Sequence, residues 1–402
     1  MPTSSTYTAS RIAGRRLLHS PGPTPLPDAV QDALRRQPMD LGDPRVSANI
    51  EACETGLRRL LGTHAADVFL YATNGHGAWE VVVENLLPPG GVVLIPGTGH
   101  FSESWAVQTE ALGRRVVRTP WIEGLPIDVE AVTQALRDDR EHTIVAVFAV
   151  HTDTASSATT DLVALRAAID ATGHPALFVV DAVASLGAVA FDMDGLQANV
   201  VLSASQKGLM TPPGIGIVAV DAAAAAVSER NTGPRFYWDW TRRRGDLSYQ
   251  KFCGTPPQNL LFGLEAALGL IFQEGEQAVF ARHRLLTRTV HAAVAGWASG
   301  GGLQFFVRQP ECRSVSVTTV MVPEGVDIDQ LRDIARNRFE VAMAGALGPL
   351  TGRGFRIGHL GDQNPAQILG ALGGIQAAMR VLGVAHGDGM LAAVACLAQS
   401  GD

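Results

Sequence analysis

The stretch Val201-Leu202-Ser203-Ala204-Ser205-Gln206-Lys207-Gly208-Leu209-Met210 decides how the chain is read. An apolar run from Ala198 to Leu202 stops, small and polar residues follow, and a lone lysine appears. Pro212, Pro213 and Gly214 then bar a simple helix from continuing past it. The spacing predicts Lys207 on a stiff turn just beyond a strand. Upstream, Ala176-Leu177-Phe178-Val179-Val180-Asp181 has the same shape, an apolar run ending in one acid. In a parallel sheet both groups emerge at the carboxyl edge, where open α/β sheets bind ligands. There a lysine can act as an amine nucleophile toward a carbonyl cofactor, and an acid can hold a heterocyclic nitrogen protonated. Taken singly, each also has an ordinary reading: Lys207 as a surface lysine, Asp181 as a strand-end cap.

The rest of the chain is organised around that edge. Val68 to Ala72 reads as a strand running into Thr73-Asn74-Gly75-His76-Gly77, with a helix from Val81 to Leu87 behind it. A strand, a glycine turn and a helix start make an anion site, because free N–H groups and the positive helix end face the ligand. Asn74 and His76 are candidates for further side-chain donors. Val92 to Pro96 is the next strand and delivers Phe101 to the edge. Thr143 to Val150 is apolar without alternation, the mark of a central parallel strand covered on both faces. It leads to His151-Thr152-Asp153-Thr154. Ile215 to Val220 reads as an antiparallel edge strand. Strand and helix alternate from about 68 to 220, which predicts a three-layer α/β domain with a mostly parallel sheet.

Asn231 to Gly254 is irregular, and its Arg242-Arg243-Arg244 cluster reads as a solvated charged turn. Two long helices follow, Asn259 to Gln273 and Gln277 to Trp297. Beyond them come short strands and helices of a smaller α+β domain. The expected division is an arm at 1–20, a large domain at 21–275 and a small C-terminal domain at 276–402 ending in an amphipathic helix.

The 402 residues are 46% hydrophobic and 18% charged, enough for large buried cores. A net charge of −7 gives no basic footprint for nucleic acid. No apolar run is long enough to span a bilayer. Cys53, Cys253, Cys312 and Cys396 are far apart, without disulfide or metal spacing, which suits reduced thiols in a cytoplasmic protein. The histidines are scattered without ligand spacing, so no metal site is expected.

One sheet edge thus collects an anion-binding turn, an aromatic side chain at Phe101, a hydroxyl at Thr154, an acid at Asp181 and a lysine at Lys207. That set fits pyridoxal 5′-phosphate, which needs a phosphate cradle, a stacking face, a partner for its pyridine nitrogen and an amine for its aldehyde. The chain also resembles the class V aminotransferases of fold type I, in particular the serine–glyoxylate and alanine–glyoxylate group. The resemblance runs from about Pro21 to Leu382. It is carried by Ser20-Pro21-Gly22-Pro23-Thr24, Asn74-Gly75-His76-Gly77-Ala78-Trp79-Glu80, Asp181-Ala182-Val183-Ala184-Ser185-Leu186-Gly187, the Lys207 stretch, Val322-Pro323-Glu324-Gly325-Val326-Asp327 and Arg356-Ile357-Gly358-His359-Leu360-Gly361-Asp362.

The resemblance implies a fold type I large domain, a smaller α+β domain and a homodimer with shared active sites. It implies that Lys207 forms the aldimine with the cofactor and that Asp181 pairs with the pyridine nitrogen. Asn74, Gly75, His76 and Gln206 match phosphate contacts, Phe101 the stacking aromatic, and Thr154 a hydroxyl near the ring oxygen. Thr255 matches a residue that reaches the phosphate across the subunit interface, and Arg356 the arginine that binds the substrate carboxylate. The implied reaction moves the amino group of a small amino acid, serine or alanine, to glyoxylate or pyruvate in two ping-pong halves. The chain departs from the family pattern where Glu and a later Gly are usual, at Asp153 and Ser157, and at Phe252, where a tyrosine is frequent. These departures are expected around the site entrance. Other class V chemistry is the alternative, either a pyruvate-linked aminotransferase with an unusual donor or a desulfurase using Cys312.

Overall fold

The computed structural model describes residues 14–399. It opens on a short strand, β1 (Leu17–His19), and two helices, α1 (Asp28–Leu34) and α2 (Pro44–Leu61). Strands and helices then alternate: β2 (Asp67–Tyr71), α3 (Gly75–Leu86), β3 (Val92–Pro96), α4 (His100–Ala111), β4 (Arg115–Thr119) and α5 (Val129–Asp138). The series continues through β5 (Ile144–Val150), α6 (Leu162–Asp170), β6 (Leu177–Asp181), the single turn α7 (Met193–Leu196), β7 (Val200–Ala204) and β8 (Gly216–Val220).

These strands form one seven-stranded sheet in the order β2-β8-β7-β6-β5-β3-β4. β4, β3, β5, β6 and β7 are mutually parallel, and β8 runs against both β7 and β2. β8 is antiparallel as the sequence suggests, but it is not the edge. β2 pairs along its outer side, so all five β8 residues are buried, as a strand flanked on both sides requires.

β5 shows why its sequence does not alternate. Val147 and Ala149 pack into a core on one face of the sheet, with Leu57, Leu165 and Phe178. Ala146, Phe148 and Val150 pack into a second core on the other face, with Trp79 and Trp105. Both faces are covered, so both periods of the strand must be apolar.

The chain continues through α8 (Ala222–Arg230), a short α9 (Ser248–Lys251), α10 (Gln258–Glu274) and the 23-residue α11 (Glu276–Ala298). Arg243 in this region is not solvated. It is 2% exposed, donates to the carbonyls of Leu70, Tyr237 and Lys251, and lies 3.9 Å from the Tyr71 ring centroid. An arginine can be buried there because backbone acceptors replace its water. Only Arg242 and Arg244 stay at the surface, Arg244 paired with Asp67 and Glu229.

The second sheet is built from β9 (Gln304–Phe305), β10 (Val317–Met321), β11 (Val341–Gly345) and β12 (Gly354–Gly358), in the order β1-β11-β12-β10-β9. Helices α12 (Ile328–Arg338), α13 (Pro365–Leu382) and α14 (Gly389–Gln399) complete the described residues. A third core joins α11, α13 and this sheet through Leu286, Trp297, Phe355 and Leu372. Val279 and Phe280, at the start of α11, pack instead in the first core. The described part of the expected N-terminal arm is also in this sheet: β1 pairs in parallel with β11, His19 opposite Met343. Residues 1–13 of that arm lie outside the described residues.

Phe148 sits in the middle of the central strand with no exposure, its ring stacked 4.6 Å from that of Trp105. Phe148→Ala should cost about 3–5 kcal/mol, read as a lowered denaturant midpoint by circular dichroism. A loss below about 1 kcal/mol would mean that β5 is not the packed centre described.

Candidate active site

The carboxyl ends of β2, β3, β5, β6 and β7 open on one cavity of about 290 Å³. It is lined by Asn74, Gly75 and His76 after β2, Phe101 after β3, Thr154 after β5, Asp181 and Val183 at β6, and Gln206 and Lys207 after β7. The structure thus gathers eight of the sequence-derived site residues; Arg356 and Thr255 lie outside the lining.

Lys207 sits where β7 gives way to a turn held by its own hydrogen bonds. Ser205 N donates to Ile215 O, Thr211 N to Ser205 O, and Met210 N to Lys207 O. The side chain is buried, and its Nζ donates to Thr154 Oγ1 at 3.2 Å and to Pro21 O at 2.5 Å. Burial lowers the amine to about 7, and the nearby Arg356 guanidinium adds to the effect, while Asp181 and Asp153 oppose it. The chain has only two lysines, and the other, Lys251, is paired with Glu54 at 2.6 Å. That scarcity is a sequence signal in its own right.

Asp181 ends β6, buried beside Lys207. Its Oδ2 accepts from Trp79 Nε1 at 2.7 Å and its Oδ1 from Val183 N at 2.7 Å. Burial still pushes the carboxyl up to about 6 against the pull of these bonds and of Lys207. Trp79 is a residue that sequence reasoning missed. It lies one helical turn past Gly75, on the face of α3 that packs against the sheet.

Asn74 caps α3: its Oδ1 accepts from His76 N at 3.1 Å and from Gly77 N at 3.3 Å. The side-chain oxygen therefore acts as an acceptor, and the expected donor role is left to its amide nitrogen. The helix start still presents N–H groups and a positive end to the cavity. Gln206 Oε1 is buried without a partner, so a carboxamide stands there with unmet hydrogen-bonding capacity. The His76 ring packs 4.5 Å from that of Trp79, and burial lowers its pKa.

Arg356 lies on β12 behind Thr154, not on the lining. It is 6% exposed and donates from Nε to Gly345 O at 2.8 Å and from Nη1 to Thr154 O at 3.0 Å. Burial lowers it to about 10, with Asp153 opposing. Thr255 is exposed and outside the cavity of its own chain. Phe252 is 2% exposed in the first core, so this departure does not border the entrance within the chain.

The other two departures have structural explanations. Asp153 is fully buried and accepts from Phe101 N at 2.8 Å, Ala155 N at 2.8 Å and Ser156 N at 3.1 Å. It holds the start of α4, and with it Phe101, against the β5 loop. Ser157 has a left-handed backbone, φ 62°, a conformation that glycine adopts without strain. Its hydroxyl donates to Ser156 O and accepts from Thr319 N, tying this loop to β10. Cys312 lies away from the cavity, hydrogen-bonded to Gln309, with burial raising its thiol. It is neither placed in the Lys207 cavity nor activated as a thiolate to attack a substrate's sulfur.

The family model of the class-V aminotransferases matches residues 17–349. A serine–glyoxylate aminotransferase of Methylorubrum extorquens is 36% identical over 98% of this chain and 98% of its own length. An L-aspartate–glyoxylate aminotransferase of Paracoccus denitrificans is 36% identical over 93% of this chain and 94% of its own. The crystal structure of ureidoglycine–glyoxylate aminotransferase from Bacillus subtilis matches with a TM-score of 0.85 at 25% identity, over 96% of this chain and 99% of that one.

A buried amine lowered to about 7 is neutral, and hence nucleophilic, above that pH. Labelling of Lys207 by a small amine-directed reagent, followed by peptide mass spectrometry, should therefore reach half its maximal rate near pH 7. A half-point at the ordinary lysine value of about 10.4 would contradict the burial described.

Proposed function

Because this chain belongs to the class-V aminotransferases and is a transaminase, we propose that it holds pyridoxal 5′-phosphate in the Lys207 cavity. We propose that it moves the amino group of serine or alanine to glyoxylate or pyruvate. The observation that carries this reading is the convergence of Lys207, Asp181, the α3 start and Phe101 on one cavity.

The residues fit the cofactor. The α3 start suits a phosphate, and Gln206, which lines the same space, would contribute its Nε2 amide as donor. Phe101 and Val183 both line the space and suit a flat ring. Asp181 suits a protonated pyridine nitrogen, which would return the positive partner that burial withholds and favour the ionised carboxylate. When bound, the cofactor supplies an electrophilic carbonyl and an electron-withdrawing ring.

The chain's own groups do the rest. With the cofactor bound, Lys207 Nζ would be the group placed to take the substrate's Cα proton and later give one back. Its depressed pKa suits both directions near neutral pH. Arg356 receives the α-carboxylate of donor and acceptor alike, which restricts the site to small α-amino and 2-oxo acids. Glyoxylate is the acceptor in the names of all three relatives described, which supports it over pyruvate. The reading includes a cytoplasmic homodimer in which Thr255 reaches the phosphate across the interface. Its exposed position outside its own cavity is compatible with that role.

With cofactor loaded, serine or alanine should convert the visible absorbance to that of the aminated cofactor, and glyoxylate should restore it faster than pyruvate. No conversion by any amino acid would end the proposal. Lys207→Ala should bind cofactor non-covalently and lose turnover by roughly 10³-fold or more. Arg356→Ala should raise KM for both substrates by about 100-fold, the size of a lost charge-assisted pair.

A further inference from the structure

The second sheet sends one segment across the cavity to the lysine. After β1, the chain leaves the sheet at Ser20 and reaches α1 by way of Pro21, Gly22, Pro23 and Thr24. Its first end is tied to β12. The buried His19 Nδ1 bonds to Gly358 O at 3.0 Å. Ser20 O packs so close to Gly358 that a Cβ there would lie 2.5 Å from it. Its far end is tied to the lysine turn: Thr24 N donates to Gln206 O at 3.2 Å and Thr24 Oγ1 to Lys207 O at 3.0 Å. Between the two ties the segment crosses the lysine side chain itself. Gly22 has φ +118°, and a Cβ on it would stand 2.6 Å from Lys207 Cδ and 2.7 Å from Cε.

We infer that residues 20–24 are a positioning strap for Lys207, in which the Pro21 carbonyl orients the amine and Gly22 allows the close crossing. The inference rests on the transaminase reading for its catalytic consequence. The physical argument concerns the neutral amine, which has two N–H bonds and one lone pair. Pro21 O and Thr154 Oγ1 take up both N–H bonds. The lone pair is then the one position left to act on a carbonyl or a proton, and it cannot rotate away without losing a hydrogen bond in a buried site. Both acceptors trace to β12. Arg356 Nη1 holds Thr154 O, and Gly358, two residues on, holds the strap. The strand that carries the carboxylate-binding arginine thus also frames the base.

Three variants test the strap, with Lys207 labelling on the cofactor-free protein as the first readout. Gly22→Ala should displace the strap, admit water and raise the labelling midpoint by about half a pH unit or more. Thr24→Val should move it the same way by less, and Thr24→Ser, which keeps the hydroxyl, should restore the wild-type value. In the loaded enzyme Gly22→Ala should lower kcat about 10- to 100-fold, as for a displaced catalytic group, with KM for the amino donor within about threefold, since Arg356 is untouched. Unchanged midpoints in both Gly22→Ala and Thr24→Val overturn the inference, as does a Thr24→Ser protein that behaves like Thr24→Val. If Gly22→Ala does not fold, the Thr24 pair decides alone. A wild-type protein that converts no amino acid defeats the transaminase reading, while the labelling series still decides the strap.

Discussion

Burial of an amine is the constraint from which the rest of the site follows. Lys207 is 8% exposed at the carboxyl end of a parallel strand. An ammonium in that position is disfavoured by desolvation, so the group sits near neutrality without any unusual chemistry of its own. Strands that share one direction build such a place. Parallel strands are covered by helices on both faces, and their carboxyl ends leave a crevice lined by whatever each strand delivers. The two cores on either side of β5 are therefore part of the site, because they hold the strand ends in register.

The same burial has to be balanced electrostatically. Asp153, Asp181, Lys207 and Arg356 are all under 9% exposed, and burial raises the pKa of both acids and lowers that of both bases. Neither acid depends on an ion pair for its partners. Asp181 is held by an indole N–H and a backbone N–H, and Asp153 by three backbone N–H groups. Hydrogen bonds of this kind make a buried carboxylate tolerable while leaving its charge available to the site. Arg356 likewise spends two donors on backbone carbonyls, which fixes its guanidinium before any substrate arrives.

The departures from the family pattern read differently once they are placed. Asp153 does not act at the entrance. It joins the β5 loop to the start of α4 and so bears on where Phe101 stands. Ser157 takes a left-handed backbone, and its hydroxyl reaches β10. Phe252 is a core residue of its own subunit. What looked like three substitutions around one opening are three separate solutions in backbone and core. The specificity question accordingly shifts to Arg356, the lining and the strap.

The sequence by itself determined the order and type of the chemistry-bearing residues. An apolar run must end in solvent or a crevice, so Asp181 and Lys207 were legible as strand-end groups, and a glycine turn before a helix was legible as an anion site. The proline- and glycine-rich stretch at 20–24 and Trp79 were visible as motif residues, but not as contacts of Lys207 and Asp181. Only the tertiary structure decided those contacts, the inner position of β8 and the burial of Arg243. The physical reason is that periodicity and turn chemistry act over a few residues. Pro21 and Lys207 are 186 positions apart, and nothing local in either stretch encodes that one will lie across the other.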